Sequence, residues 1–140
     1  MILLVMQFCN DPIVEERPDS YAVLWVHLPT LLNDLAKNPF FTEVQDRINP
    51  EKYSAKTSFY QRKIEAGQDI PMPVICWNDT RNYPDVEQGR HRLGLFRDML
   101  EKGEFLEFIP ISANTYMIEE LFLRYNQPYM TAILNSVVMR

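Results

Sequence analysis

Apolar positions fall into short blocks along the chain, and the period inside each block predicts the element it forms. "MILLVMQFC" (Met1–Cys9) is a continuous apolar run too short to span a bilayer, and it reads as a buried strand. It lacks a basic start and a small-residue cleavage site, so it does not read as a signal peptide. "NDPIVEERPDS" (Asn10–Ser20) is rich in proline and acid and reads as a surface loop. "YAVLWVHL" (Tyr21–Leu28) is β-branched and aromatic, hence a strand. Pro29 and Thr30 open a short helix that stops at Asn38-Pro39. Phe40–Tyr53 is ambiguous, with a turn of helix before Pro50.

Ser54 is placed to cap a helix that Gly67 ends. "IPMPVICW" (Ile70–Trp77) reads as one short buried strand, and "NDTRNYPDVEQ" (Asn78–Gln88) as loop with a short extended piece at Val86. Leu93, Phe96, Met99 and Leu100 then recur at helical spacing up to Gly103. "EFLEFIPIS" (Glu104–Ser112) is a strand, Asn114 caps a helix through Tyr125, and Pro128 starts a last helix. Met130, Ile133, Leu134, Val137 and Val138 give that helix an apolar face, most simply packed on the core and otherwise a partner surface. Strands alternating irregularly with helices predict an α+β domain: a small mixed β-sheet with packed helices, spanning residues 1–140 as a single unit.

Composition adds little to this picture. Hydrophobic residues make up 46% and charged residues 24% of 140, which is ordinary for one globular domain. Cys9 and Cys76 make no zinc spacing with His27 and His91, and two isolated thiols fit a reducing cytoplasmic setting. No protein metal site and no membrane segment is expected. Charge is more informative. The formal net charge of −5 repels phosphate overall, so nucleic acid can bind only through a local basic patch. Arg81, Arg90, Arg92 and Arg97 fall in one short window.

That window holds the main chemical signal, "VEQGRHRLGLFRDML" (Val86–Leu100). Arg90, His91 and Arg92 open a helix, where unpaired N–H groups already carry a partial positive charge. Stacking cations there breaks a local rule, and an anion bound at the pole relieves the repulsion. Gly89 lets the backbone approach a phosphate, arginine offers a matching fork of donors, and His91 can move a proton near neutral pH. The alternative is plainer: Arg90 solvated, Arg92 paired with Glu87 or Asp85, and His91 on a core carbonyl. Trp77 reads as a core-edge aromatic before an Asx turn, or as a base-stacking residue beside a metal-binding Asp79. "KTSFYQRK" (Lys56–Lys63) mixes cations and aromatics that suit single strands, but reads first as an ordinary amphipathic helix. His27 reads as a satisfied core histidine.

Taken in order, strand, short loop, G-x-H-R, helix, glycine and "IPI" strand resemble the ParB/sulfiredoxin superfamily, and the similarity covers about Tyr21–Tyr125. "EAGQDIPMPVICW" upstream and "GEFLEFIPIS" downstream are similar to the family's flanking elements. The resemblance implies a ParB/sulfiredoxin-like fold and a phosphate cradle of Gly89, Arg90, His91 and Arg92. It implies a nucleotide or DNA ligand, Mg²⁺ with ATP or CTP, and hydrolysis of triphosphate or nuclease-like chemistry with His91 and Glu87 as catalytic residues. It is the stand-alone form, found on plasmids and phages, that this chain resembles. The chain also departs from the family. Arg90 stands where sulfiredoxins keep a reactive cysteine and partition proteins a glutamate, and Gln88 stands where other members keep an acid. Residues 113–140 suffice for two helices and not for a DNA-reading helix-turn-helix. A non-catalytic protein-interaction or inhibitory role on the same fold is the alternative.

Overall fold

The computed structural model describes residues 6–41, 50–104 and 106–138. The first five residues of the expected N-terminal strand and the expected helical turn before Pro50 lie outside the described residues.

The fold is a mixed α+β arrangement built on a four-stranded sheet. In chain order its strands are β2 (Tyr21–His27), β4 (Val74–Asn78), β5 (Tyr83–Gln88) and β6 (Phe108–Asn114). Their spatial order is β2-β6-β4-β5. β2 and β5 run antiparallel to their neighbours, while β4 and β6 are parallel. β1 (Gln7–Cys9) and β3 (Asp69–Pro71) form a separate parallel pair.

Position in the sheet explains the burial patterns. The inner strand β6 is buried continuously from Ile109 to Ala113. The edge strand β2 alternates, with Leu24 and Val26 inside and Val23 and Trp25 outside. One core joins the sheet to α2 (Leu28–Leu35) through Leu28, Leu31 and Leu35. The same core takes Ile64 of α3 (Pro50–Glu65) and Leu93, Phe96 and Met99 of α4 (Arg90–Glu101). It closes with Leu121 of the short α5 (Ile118–Leu121) and with Tyr125, in a π-helical turn Phe122–Asn126 before α6 (Gln127–Val138). Asn126 donates to the Trp25 carbonyl at 2.7 Å and so covers part of the β2 edge.

Four expectations are corrected. Asn10–Ser20 is ordered rather than loop: Asp11 caps α1 (Pro12–Glu16), and a 3₁₀ turn follows at Pro18–Ser20. Ile70–Trp77 is two strands in two sheets. Met72 N–H donates to Cys9 O at 2.8 Å, whereas Pro73 O accepts from Ser112 N–H at 2.9 Å, so the chain changes sheets at Met72-Pro73. Asn78–Gln88 contains a full strand, β5, which tolerates Pro84 because it is an edge. Helix α6 leaves Met130, Ile133 and Leu134 of its expected core face exposed. Met130 to Asn135 are all exposed, with Leu134 at 59%. Its start is held where Tyr129 stacks on Trp25 with ring centroids 5.5 Å apart.

Candidate functional site

Strand β5 turns into α4 through Gly89, whose φ of +99° lies in the left-handed region. A side chain there would be strained by the backbone and crowded as well. An added Cβ would lie 3.0 Å from Pro73 Cα and 3.2 Å from the Arg92 guanidinium. The glycine of the motif is therefore a close-packing position between the β3–β4 kink and the first turn of α4.

Arg92 fills the space beneath it. It is only 4% exposed. One terminal nitrogen donates to Asp11 Oδ2 at 2.7 Å, and the other to the carbonyls of Pro71 at 2.6 Å and Met72 at 3.2 Å. Its Nε has no hydrogen-bond partner, and the Tyr60 ring lies 5.6 Å from its carbon centre. Those carbonyls belong to the kink where the chain leaves one sheet for the other, so Arg92 satisfies acceptors that the change of sheets releases. Asp11 uses its second oxygen on Ile13 N–H at 3.1 Å, the cap of α1. Arg92, expected at the phosphate and otherwise beside Glu87 or Asp85, instead ties Asp11, the kink and α4 together from inside.

Arg90 and His91 lie at the rim of this turn, both half-buried. His91 faces α3, with its ring 6.0 Å from that of Tyr53. Burial lowers the His91 pKa below the ordinary value, and Lys56, Lys52, Arg90 and Arg92 lower it further, in that order. Two lysines of α3 and two arginines of α4 thus act electrostatically on one imidazole. Sequence reading missed Lys52, and it took Lys56 first as part of an ordinary amphipathic helix. Their spacing of four residues was the available signal, since it puts both on one helix face.

Glu87 faces elsewhere. Its oxygens accept from Tyr21 Oη at 2.7 Å and Asn114 Nδ2 at 3.3 Å, across the sheet. Asp85 accepts from Asn38 at 2.7 Å and Asn78 at 3.0 Å. The structure thus shows Glu87 held by β2 and β6 and His91 packed toward α3, without bringing them together. No group of three His, Cys, Asp or Glu side chains converges among the described residues, so they do not build a protein cage for Mg²⁺.

The remaining candidates resolve plainly. Trp77 is 4% exposed and has Arg124 over its ring at 4.1 Å, so it offers no face to a base. Asn78 Oδ1 accepts from Arg81 N–H at 3.0 Å, the expected Asx turn, and leaves Asp79 and Arg81 exposed. His27 approaches Thr30 Oγ1 at 2.6 Å and Glu107 at 3.5 Å. Cys9 and Cys76 are free thiols. Burial, then Glu87 and Asp85, push the Cys76 pKa up to about 11, so it is no activated nucleophile. No helix of the described residues is long and apolar enough to cross a membrane.

Comparison with protein-family models, with curated proteins and with solved structures returns no match for this chain.

Proposed function

We propose that the protein binds the phosphate of a nucleotide or nucleic acid at the start of α4, on a ParB/sulfiredoxin-like fold. What supports this reading is the contact of Tyr53 with His91, which brings α3 against the start of α4, where Lys52, Lys56 and Arg90 all act on the His91 charge. An anion there is favoured by the side-chain charges and by the helix pole together. The ligating set differs from the motif's: Lys52, Lys56, Arg90 and His91 touch the ligand, while Gly89 and Arg92 shape the turn.

Binding is better supported than hydrolysis. A base for phosphoryl transfer must reach the attacking group, and the acid of the motif region, Glu87, is engaged by Tyr21 and Asn114 on the sheet. Mg²⁺ would arrive with the phosphates of ATP or CTP.

Thermal unfolding with ATP, CTP, GTP, ADP and short oligonucleotides, with and without Mg²⁺, tests the reading. A ligand at a hundred times its Kd adds about 2.7 kcal/mol of stability, a visible shift. Arg90→Ala and Lys56→Ala are expected to abolish the shift. If no phosphate ligand moves the transition, the proposal fails.

A second reading, a protein-interaction role, has its own support. Helix α6 carries no charged residue, and Met130, Ile133 and Leu134 are 43%, 39% and 59% exposed. Exposed apolar side chains along a helix suit a groove or a second helix. Co-purification of a partner that is lost in Leu134→Glu would favour this role.

A further inference from the structure

Helix α3 presents a row of side chains that runs on from the phosphate site, which uses Lys52 and Lys56 but not Phe59 and Lys63. Lys52, Lys56, Phe59 and Lys63 are four, three and four residues apart, so they line one face. The Phe59 ring is 47% exposed although it is large and apolar. It is braced on the helix: Lys63 Nζ lies 5.2 Å from its centroid, and Tyr60 meets it edge-on at 5.3 Å. Tyr60 is backed in turn by the buried Arg92. Lys52, Ala55, Lys56, Phe59 and Tyr60 line a cleft of about 330 Å³, with an aromatic floor and a cationic rim.

The row spans twelve residues, about 16 Å of helix from first to last. It leads toward His91, on which both Lys52 and Lys56 act. Four cations against two acids make α3 locally positive in a chain of net charge −5, with Glu51 and Glu65 at its two ends. A ligand that matches must carry a flat π-face and negative charge repeated over that length. A mononucleotide satisfies one end only. A duplex hides its base faces, and its long charge track meets an acidic protein beyond the patch.

We infer that α3 is a track for single-stranded nucleic acid, with a base stacked at Phe59 in the cleft and successive phosphates on Lys63, Lys56 and Lys52, leading into Arg90 and His91. This rests on the phosphate-binding reading of the α4 start and extends it from one phosphate to a strand. Stacking on an exposed aromatic between cations is tolerant of sequence, so the track selects strandedness rather than base order.

Fluorescence anisotropy with a labelled twelve-nucleotide single strand, its duplex, and competing ATP or CTP tests the inference. The single strand is expected to bind more tightly than the duplex. With four phosphate contacts, the slope of log K on log salt is expected near −3, at about 0.7 per contact. Phe59→Ala is expected to weaken the single strand about tenfold, one stacked base, while ATP and CTP compete as before. Phe59 is at the surface, and an unchanged melting temperature confirms that this variant is folded. Wild-type affinity for the strand in Phe59→Ala, or equal affinity for duplex, overturns the track. Nucleotide binding without strand binding also overturns it and leaves the phosphate site standing. Strand binding untouched by Arg90→Ala and Lys56→Ala overturns the phosphate site itself.

Discussion

Replacing Asp11 with alanine is expected to destabilise the fold far more than its place in a polar N-terminal stretch suggests. Asp11 and Arg92 are 6% and 4% exposed, and their contact is 2.7 Å. Removing the carboxylate leaves a buried guanidinium with two carbonyls and no counter-charge, at the positive end of α4. Breaking a buried pair from one side costs about 3–5 kcal/mol. The lost cap on α1 adds about 1 kcal/mol. The sum, about 4–6 kcal/mol, is a large share of the 5–15 kcal/mol typical of a domain. At roughly 3 °C per kcal/mol, the melting temperature falls by about 12–18 °C. Chemical denaturation of Asp11→Ala, Arg92→Met and the double variant separates pair from cap. Removing both charges relieves the stranded cation, so the double variant is expected to be more stable than Asp11→Ala alone. A loss below about 1 kcal/mol for Asp11→Ala, set against the 3–5 expected of a broken buried pair, would refute the reasoning. So would strictly additive single effects.

Three further outcomes follow from the same geometry. Gly89→Ala is expected to cost about 1–3 kcal/mol in urea unfolding, from the positive φ and the 3.0 Å approach to Pro73; a neutral result would mean that the turn relaxes. The His91 imidazole, followed by NMR, is expected to titrate below 6.5 in the free protein and higher with phosphate bound. Its unfolded form binds the proton first, so its contribution to stability falls as pH drops through 6.5, and an unshifted titration would contradict the clustered charge. Cys76 is expected to resist alkylation at pH 8 until the protein unfolds, because its thiol titrates at about 11; prompt labelling of the native protein would contradict this.

Periodicity made parts of the fold legible and hid others for physical reasons. The face of α4 was readable because Leu93, Phe96 and Met99 pack on one core with helical spacing. β5 was not, because Pro84, Asp85 and Glu87 read as loop until their edge position is known. There Pro84 faces Trp77 in register, and the acids find amide and phenol donors on neighbouring elements. The apolar spacing of α6 was visible, but the same pattern serves a core helix and a partner helix. Only exposure separates the two. Asp11 illustrates the hardest case. Asp-Pro is a helix-start signal, so the cap was within reach, but the partner of its second oxygen lies 81 residues away.

Two arginines flanking a histidine at a helix pole pose an electrostatic problem that the fold answers only in part. Arg92 receives an internal anion, and both oxygens of Asp11 are then engaged. That carboxylate is committed to Arg92 and to the α1 cap. The structure adds charge to Arg90 and His91 instead, by bringing Lys52 and Lys56 alongside. A chain selected only for stability would place an acid there, since an acid at a helix start is worth about 0.3–1 kcal/mol. The accumulation of positive charge is therefore displaced from the buried turn to the junction of α3 and α4. An external anion would add to the neutralisation of that junction, and the exposed Phe59 of α3 favours an anion that also carries a ring.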